Sequence, residues 1–246
     1  KPPVLLDWES LTSELLTSVD SKSSELVTLV TAIKKYAPKD AVILSWWDIS
    51  RQIGLLTGRD TLFPSHHGEP VIIPSHWRER SEAIKNYEEE FWGAPAPAEE
   101  RRKLQRFADA LVADVDKGSE ILRELAGSRE AYVVLHVSDL YKLGLMRPES
   151  LDLAYKDFPM NSANMHGLVN TVKRFKVENN YTTYTLQSLG DRAVRGYFLS
   201  NGQDTLLAQM LPFTETRPLE LTKIQLIYQH GGYWVYKIPP VAPPAG

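Results

Sequence analysis

Residues 42–60 read VILSWWDISRQIGLLTGRD. AVILSW, residues 41–46, reads as a short apolar strand of the kind covered by helices on both faces. Ser45 stands three residues before Asp48, the S-x-x-D spacing in which a hydroxyl and a carboxylate satisfy the free amides of a helix start. A helix is therefore expected to begin at Trp46 and Trp47, to turn Ile49, Ile53 and Leu56 inward, and to stop at Gly58, the residue type that best accepts a left-handed backbone.

Working outward, SSELVTLVTAIKKY (residues 23–36) places Leu26, Leu29, Val30 and Ile33 at helical spacing, with Ser23 or Ser24 available as N-cap and Pro38 beyond the end. After Gly58, DTLF and PVIIP are short extended stretches around the turn-rich PSHHGEP. Helix, strand, helix, strand predicts an α/β class: a Rossmann-like mixed sheet flanked by helices. From about residue 75 to 127 the chain reads as a helical insertion in two segments, HWRERSEAIKNYEEEFWG and EERRKLQRFADALVADVDKGSEILRELAG, joined by the linker APAPA. AYVVLHV is a second buried strand. Ser138-Asp139 then caps the short helix DLYKLGLM, repeating the strand-to-helix arrangement of residues 42–58.

After Arg147 the texture changes. TTYTLQSLGDRAVRGYFLS alternates about a Gly-Asp turn, and KIQLIYQHGGYWVYKI reads as a hairpin around Gly231-Gly232. The expected organisation is an α/β core over 1–147, a β-rich C-terminal half of the same body over 148–238, and a Pro-rich tail over 239–246. No fixed-period repeat is present.

The 246 residues suffice for a substantial core, and the 43% apolar and 24% charged content are those of a globular chain. The net charge of −3 and the scattered Lys and Arg argue against nucleic acid as a partner. The absence of cysteine excludes disulfides, thiolate metal sites and covalent c-type haem on this chain. No run reaches the roughly 18–20 apolar residues that span a bilayer, so membrane contact is expected only through an N-terminal anchor lying ahead of Lys1.

The residues that carry chemistry centre on Trp46, Trp47 and Asp48. A single indole here would be core filler, with Asp48 a cap. Two neighbours about 100° apart on a helix do not share one small pocket, so one is expected at the surface. An indole beside a carboxylate at the C-terminal edge of a parallel strand lies where open α/β sheets place ligands. The ring supplies a flat wall and a donor, and the carboxylate an acceptor. Arg51, Arg59 and Asp60 complete the candidate set, with Arg59 and Asp60 expected to fix a loop that closes the site.

His66, His67 and Glu69 are the alternative metal ligands. Adjacent histidines point apart in extended backbone, so the loop is read first as polar, hydrogen-bonding the Trp-Trp-Asp helix. His76, His136, His166 and His230 are read as structural, and Asp7, Glu9 and Glu88 to Glu90 as solvated. The Asn180 glycosylation pattern carries little weight. No G-x-S-x-G, H-E-x-x-H, P-loop or G-x-G-x-x-G occurs, so no catalytic set and no cofactor are assigned.

LSWWDISRQIGLLTGRDTLF resembles the soluble domain of the catalytic subunit of oligosaccharyltransferases, whose Trp-Trp-Asp residues receive the hydroxyl amino acid of an acceptor sequon. Trp46, Trp47 and Asp48 match that triplet, which there continues with Tyr-Gly and here with Ile49-Ser50-Arg51. No stretch reads as the membrane half that holds the metal and the lipid-linked donor. SWWDISRQIGLLTGRDTLF with GEPVIIPSHW, over about residues 40–80, more closely resembles HaoB, the accessory family encoded beside hydroxylamine oxidoreductase in ammonia-oxidising bacteria. That resemblance implies a periplasmic protein tethered to the inner membrane and working alongside a multihaem enzyme; with no catalytic set assigned, the Trp-Trp-Asp region is read as that of a binding or assembly module rather than of an enzyme acting on its own. Its implied partner is hydroxylamine oxidoreductase or an associated multihaem cytochrome, with a peptide segment as a possible ligand; the alternative is an oligosaccharyltransferase-like module that recognises an acceptor peptide.

Overall fold

The computed structural model describes residues 19–64, 98–160, 165–189, 193–213 and 224–238, with the short pieces 79–80, 82–83 and 86. Helix α1 (Val19–Tyr36) precedes strand β1 (Val42–Leu44), helix α2 (Trp47–Thr57) and strand β2 (Asp60–Thr61). Strands β1 and β2 are parallel, with Val42 opposite Asp60 and Ile43 opposite Thr61. Parallel pairing requires α2 to carry the chain back to the edge where β1 began. Gly58 makes the reversal possible, at φ 68°, with its N–H donating to the Gly54 carbonyl at 2.8 Å.

Helices α3 (Ala98–Val112) and α4 (Val115–Ala126) lead into β3 (Ala131–His136), which lies parallel to β1 on the side opposite β2. Helix α5 (Asp139–Met146) follows, then strand β4 (Leu153–Pro159), helix α6 (Met165–Glu178), strands β5 (Thr183–Ser188) and β6 (Ala193–Leu199), and the one-turn helix α7 (Leu206–Met210). The hairpin β7 (Gln225–His230) and β8 (Tyr233–Ile238) returns to the first sheet, where β8 pairs antiparallel with β3. The result is a mixed five-stranded sheet, β2-β1-β3-β8-β7, and an antiparallel three-stranded sheet, β4-β6-β5.

Alternation along the strands sorts the core. Ile43, Tyr132, Val134 and Val235 face α1 and α2, where they meet Leu29, Ile33 and Ile53. Val42, Leu44, Val133 and Leu135 face the other way, onto Leu104, Phe107, Leu111 and Leu122 of α3 and α4. Helices thus cover both faces, which is why β1 and β3 are apolar as far as His136, the last residue of β3. The second sheet packs Phe158, Tyr184, Val194 and Phe198 against Leu168 and Val172 of α6. Tyr197 and Leu199 of β6 join the larger core. The mixed α/β class and the β-rich C-terminal half are as the sequence predicts, although that half divides between the two sheets.

Several local expectations are replaced. Trp46 is the N-cap of α2 and no side chain caps it, so Ser45 falls one residue too early for a capping box. Ser45 Oγ instead pairs with Ser50 Oγ at 2.9 Å. Ile53 is buried as expected and Ile49 half-buried, but Leu56 is exposed. The inward stripe of α2 is Ser50, Ile53 and Thr57, and Leu56 lies beside it. Helix α1 begins at Val19, so Ser23 and Ser24 lie within it. The second long helical segment is two helices, because Asp114 accepts the Lys117 N–H at 2.9 Å and starts a new one. Ser138 makes no side-chain cap bond. PVIIP, His66, His67, Glu69, His76, most of residues 76–93, and the tail 239–246 lie outside the described residues.

Candidate functional site at the shared edge of two parallel strands

Because β1 and β3 run side by side in one direction, the helix starts that follow them are neighbours. Trp46 leaves β1 in extended backbone, and its ring drops into the core. It packs edge-on against Phe107 at 5.3 Å and against Trp47 at 5.5 Å. Its indole Nε1 is buried and has no hydrogen-bond partner among the described residues. Trp47 is half-buried above it, and the Asp48 side chain is 40% exposed.

From β3 comes the other half. The His136 N–H donates to Asp139 Oδ2 at 2.7 Å, which fixes the carboxylate at the start of α5. One turn on, Lys142 reaches back between two acids, with Nζ 2.9 Å from Asp139 Oδ1 and 2.5 Å from Asp48 Oδ2. The same ammonium sits 5.8 Å from the Trp46 ring and 5.7 Å from the Trp47 ring, within cation–π reach of both. His136 Nδ1 lies 2.6 Å from Ser138 Oγ, and its ring tilts against Tyr233 of β8 at 4.6 Å.

The electrostatics follow from depth. Asp139 is 1% exposed, and burial pushes its carboxyl up to about 6, with Asp48 adding to the rise while Lys142 and the His136 N–H oppose it. Burial alone would lower Lys142, but Asp139 and Asp48 together outweigh it and hold the ammonium above its ordinary range. Tyr233 is raised as well, by burial first and then by the two carboxylates. A charged Lys142 therefore cross-links α2 to α5, and the acid left facing water is Asp48.

Of the sequence-predicted residues, Trp46, Trp47 and Asp48 come together, with Trp46 as the floor rather than a wall. Arg51 is exposed on α2, one turn beyond Asp48. Arg59 and Asp60 do not join them, because the crossover delivers them to the opposite edge of the sheet, beside Val42. There the Arg59 guanidinium donates to the Ala37 carbonyl at 2.8 Å and to Lys34 at 3.2 Å, closing the end of α1. Asp60 pairs with Arg129 at 2.5 Å.

Asp139, Lys142, His136 and Tyr233 were not among the expected site residues. The signal was present in the repeated strand-to-helix pattern at 131–146, since adjacent parallel strands must bring both helix starts to one edge. Among the described residues, no group of three metal-ligating side chains occurs and no helix is long and apolar enough to cross a membrane.

A family model described as "HaoA-associated protein HaoB" matches residues 1–238. No curated protein matches the chain. Among solved structures, the crystal structure of the C-terminal domain of C. jejuni PglB is similar at 10% identity and a TM-score of 0.49, over 86% of this chain and 98% of that one.

Proposed function

The chain belongs to the family of the HaoA-associated protein HaoB, and from that premise we propose that it is a periplasmic accessory protein that binds hydroxylamine oxidoreductase, or a multihaem cytochrome working with it, through the edge at Trp47 and Asp48. One observation carries this. Asp48 is exposed and Trp47 half-buried at the mouth of two parallel strands, and Lys142 lies against both. A pre-positioned carboxylate beside a flat indole offers a partner segment an acceptor and an apolar wall with little ordering to be done on binding. The buried members, Trp46 and Asp139, set the geometry rather than make contact.

The test is capture of purified hydroxylamine oxidoreductase by the immobilised full chain, with Trp47→Ala and Asp48→Asn alongside. The expected result is binding by the parent and a loss of about tenfold or more in each variant, the size of loss produced when a central aromatic or charged contact is truncated. Absence of binding by the parent, or equal binding by all three, overturns the assignment.

A further inference from the structure

The edge described above does not end at Lys142. On the preceding position of α5, Tyr141 packs edge-on against Tyr155 of β4, ring centres 5.8 Å apart. The Arg195 guanidinium of β6 lies 5.0 Å from the centre of the Tyr155 ring and grips Asp157 with two bonds, Nε at 2.6 Å and Nη2 at 2.8 Å. Tyr155 and Asp157 share one face of β4, as their spacing of two requires. Lys156 between them points to the other face, where its ammonium lies 4.2 Å from the Phe175 ring centre. The Tyr141–Tyr155 contact thus joins α5, which holds Asp48 through Lys142, to β4, which carries Asp157.

The two ends are built alike. Asp48 is 40% exposed over a Lys142 that is 20% exposed, and Asp157 is 45% exposed over an Arg195 that is 12% exposed. At both ends the cation is turned inward and engaged, and the carboxylate is turned out. Tyr155, 44% exposed, adds a ring whose quadrupole also favours positive charge. An acidic segment would find both cations occupied and two carboxylates in its way. A basic one would find a half-exposed carboxylate at each end, Asp48 held through one oxygen and Asp157 through both, and an aromatic surface for its methylene stems. The net charge of −3 acts in the same direction on approach.

We propose that the strip from Asp48 across Tyr141 and Tyr155 to Asp157 docks an extended segment of a partner protein carrying two basic side chains, one for each carboxylate. This rests on the binding role proposed for the Trp47 and Asp48 edge and names the chemistry of what binds there. Both halves are needed for full affinity, because a single exposed ion pair is weak and two on one segment reinforce each other.

The experiment measures fluorescence anisotropy of labelled extended peptides against the full chain. One series carries two arginines at increasing separation, and matched series carry glutamine or glutamate at those positions. The expected result is an optimum separation at which the arginine peptide binds about tenfold or more tightly than the glutamine peptide, with the glutamate peptide weaker still. Tyr155→Leu and Asp157→Asn should each remove most of that advantage while far-ultraviolet circular dichroism is unchanged. Asp157→Lys should turn the preference toward a peptide with one arginine and one glutamate, which keeps the idea testable should Asp157→Asn loosen Arg195. Equal binding of the arginine and glutamine peptides, or an advantage indifferent to positions 155 and 157, overturns it.

Capture of hydroxylamine oxidoreductase run in parallel separates the two ideas. Capture lost in the variants at 47 and 48 but unchanged in those at 155 and 157 sinks the strip and spares the edge. Arginine-peptide binding without any capture sinks the partner assignment and spares the strip.

Discussion

The interaction on which most depends is a single ammonium between two carboxylates, one of them fully inside the protein. Removing a partner from such a pair costs far more than an exposed ion pair is worth, because the remaining charge is left without compensation. Lys142→Met is expected to destabilise the protein by about 3–5 kcal/mol in urea unfolding, with Asp139→Asn in the same chain returning most of the loss. A loss below about 1 kcal/mol would mean that the bridge behaves as a surface pair. The pH dependence has a definite sign. Asp139 has an ordinary value of 3.8 and a folded value of about 6, so between those limits the unfolded chain releases its proton while the native state keeps it. Stability contributed by this group is therefore greatest below about pH 4 and falls as pH rises to 6. Lys142 adds no slope there, since a raised ammonium contributes fully below its ordinary 10.5 and loses that only at higher pH. Subtracting the Asp139→Asn stability from that of the parent at pH 4, 5 and 6 should give a line that descends, and a flat difference would refute the assignment.

At the scale of elements, two glycines show different constraints. Gly58 has open space about it but a backbone at φ 68°, so Gly58→Ala meets only backbone strain, about 1 kcal/mol or a fall in Tm of about 2–4 °C. Gly118 of α4 has an ordinary backbone, but a Cβ there would stand 2.5 Å from the Ala110 carbonyl oxygen and 2.7 Å from Leu206 Cδ2. Gly118→Ala must push α4 away from α3 and α7 and is expected to cost about 2–3 kcal/mol, read as a larger fall in Tm by calorimetry. Equal shifts in the two variants would contradict this. The same contrast decides what could be read beforehand. Left-handed glycines and period-two strands announce themselves locally, so the stop at Gly58, the buried strands and the Gly231-Gly232 hairpin were legible. The break between α3 and α4 was not, because the apolar stripe continues across it and only the Asp114 cap marks the change. The Asp48–Lys142–Asp139 cluster was signalled only by the repeated strand-to-helix pattern. Lys142 and Asp48 are 94 residues apart, and nothing but the placement of β3 beside β1 brings them together.

At the scale of the molecule, the last described strand stabilises one of the first. Strand β8 pairs along all of β3, and without it β3, apolar as far as His136, would become an open edge. Three further contacts tie the same hairpin down. The Tyr236 hydroxyl donates to the Met210 carbonyl at 2.5 Å, Arg123 donates to the Ile238 carbonyl at 3.1 Å, and Lys237 pairs with Glu130 at 2.9 Å. Tyr233, on the same strand, packs on His136 and so buttresses the candidate site from the far side of β3. Fold and site should therefore fail together when the hairpin is lost, and separately when only its outer bonds are cut. A chain ending at residue 223 is expected to aggregate and to show no cooperative unfolding. Tyr236→Phe, which leaves one buried carbonyl without its donor, should cost about 1–2 kcal/mol and leave partner capture unchanged. Urea unfolding of both variants, with capture measured on each, checks the pair. A shortened chain that unfolds cooperatively at the parent's midpoint would show that β3 is complete without its antiparallel neighbour, and the edge at Trp47 and Asp48 would then owe nothing to the C-terminal strands.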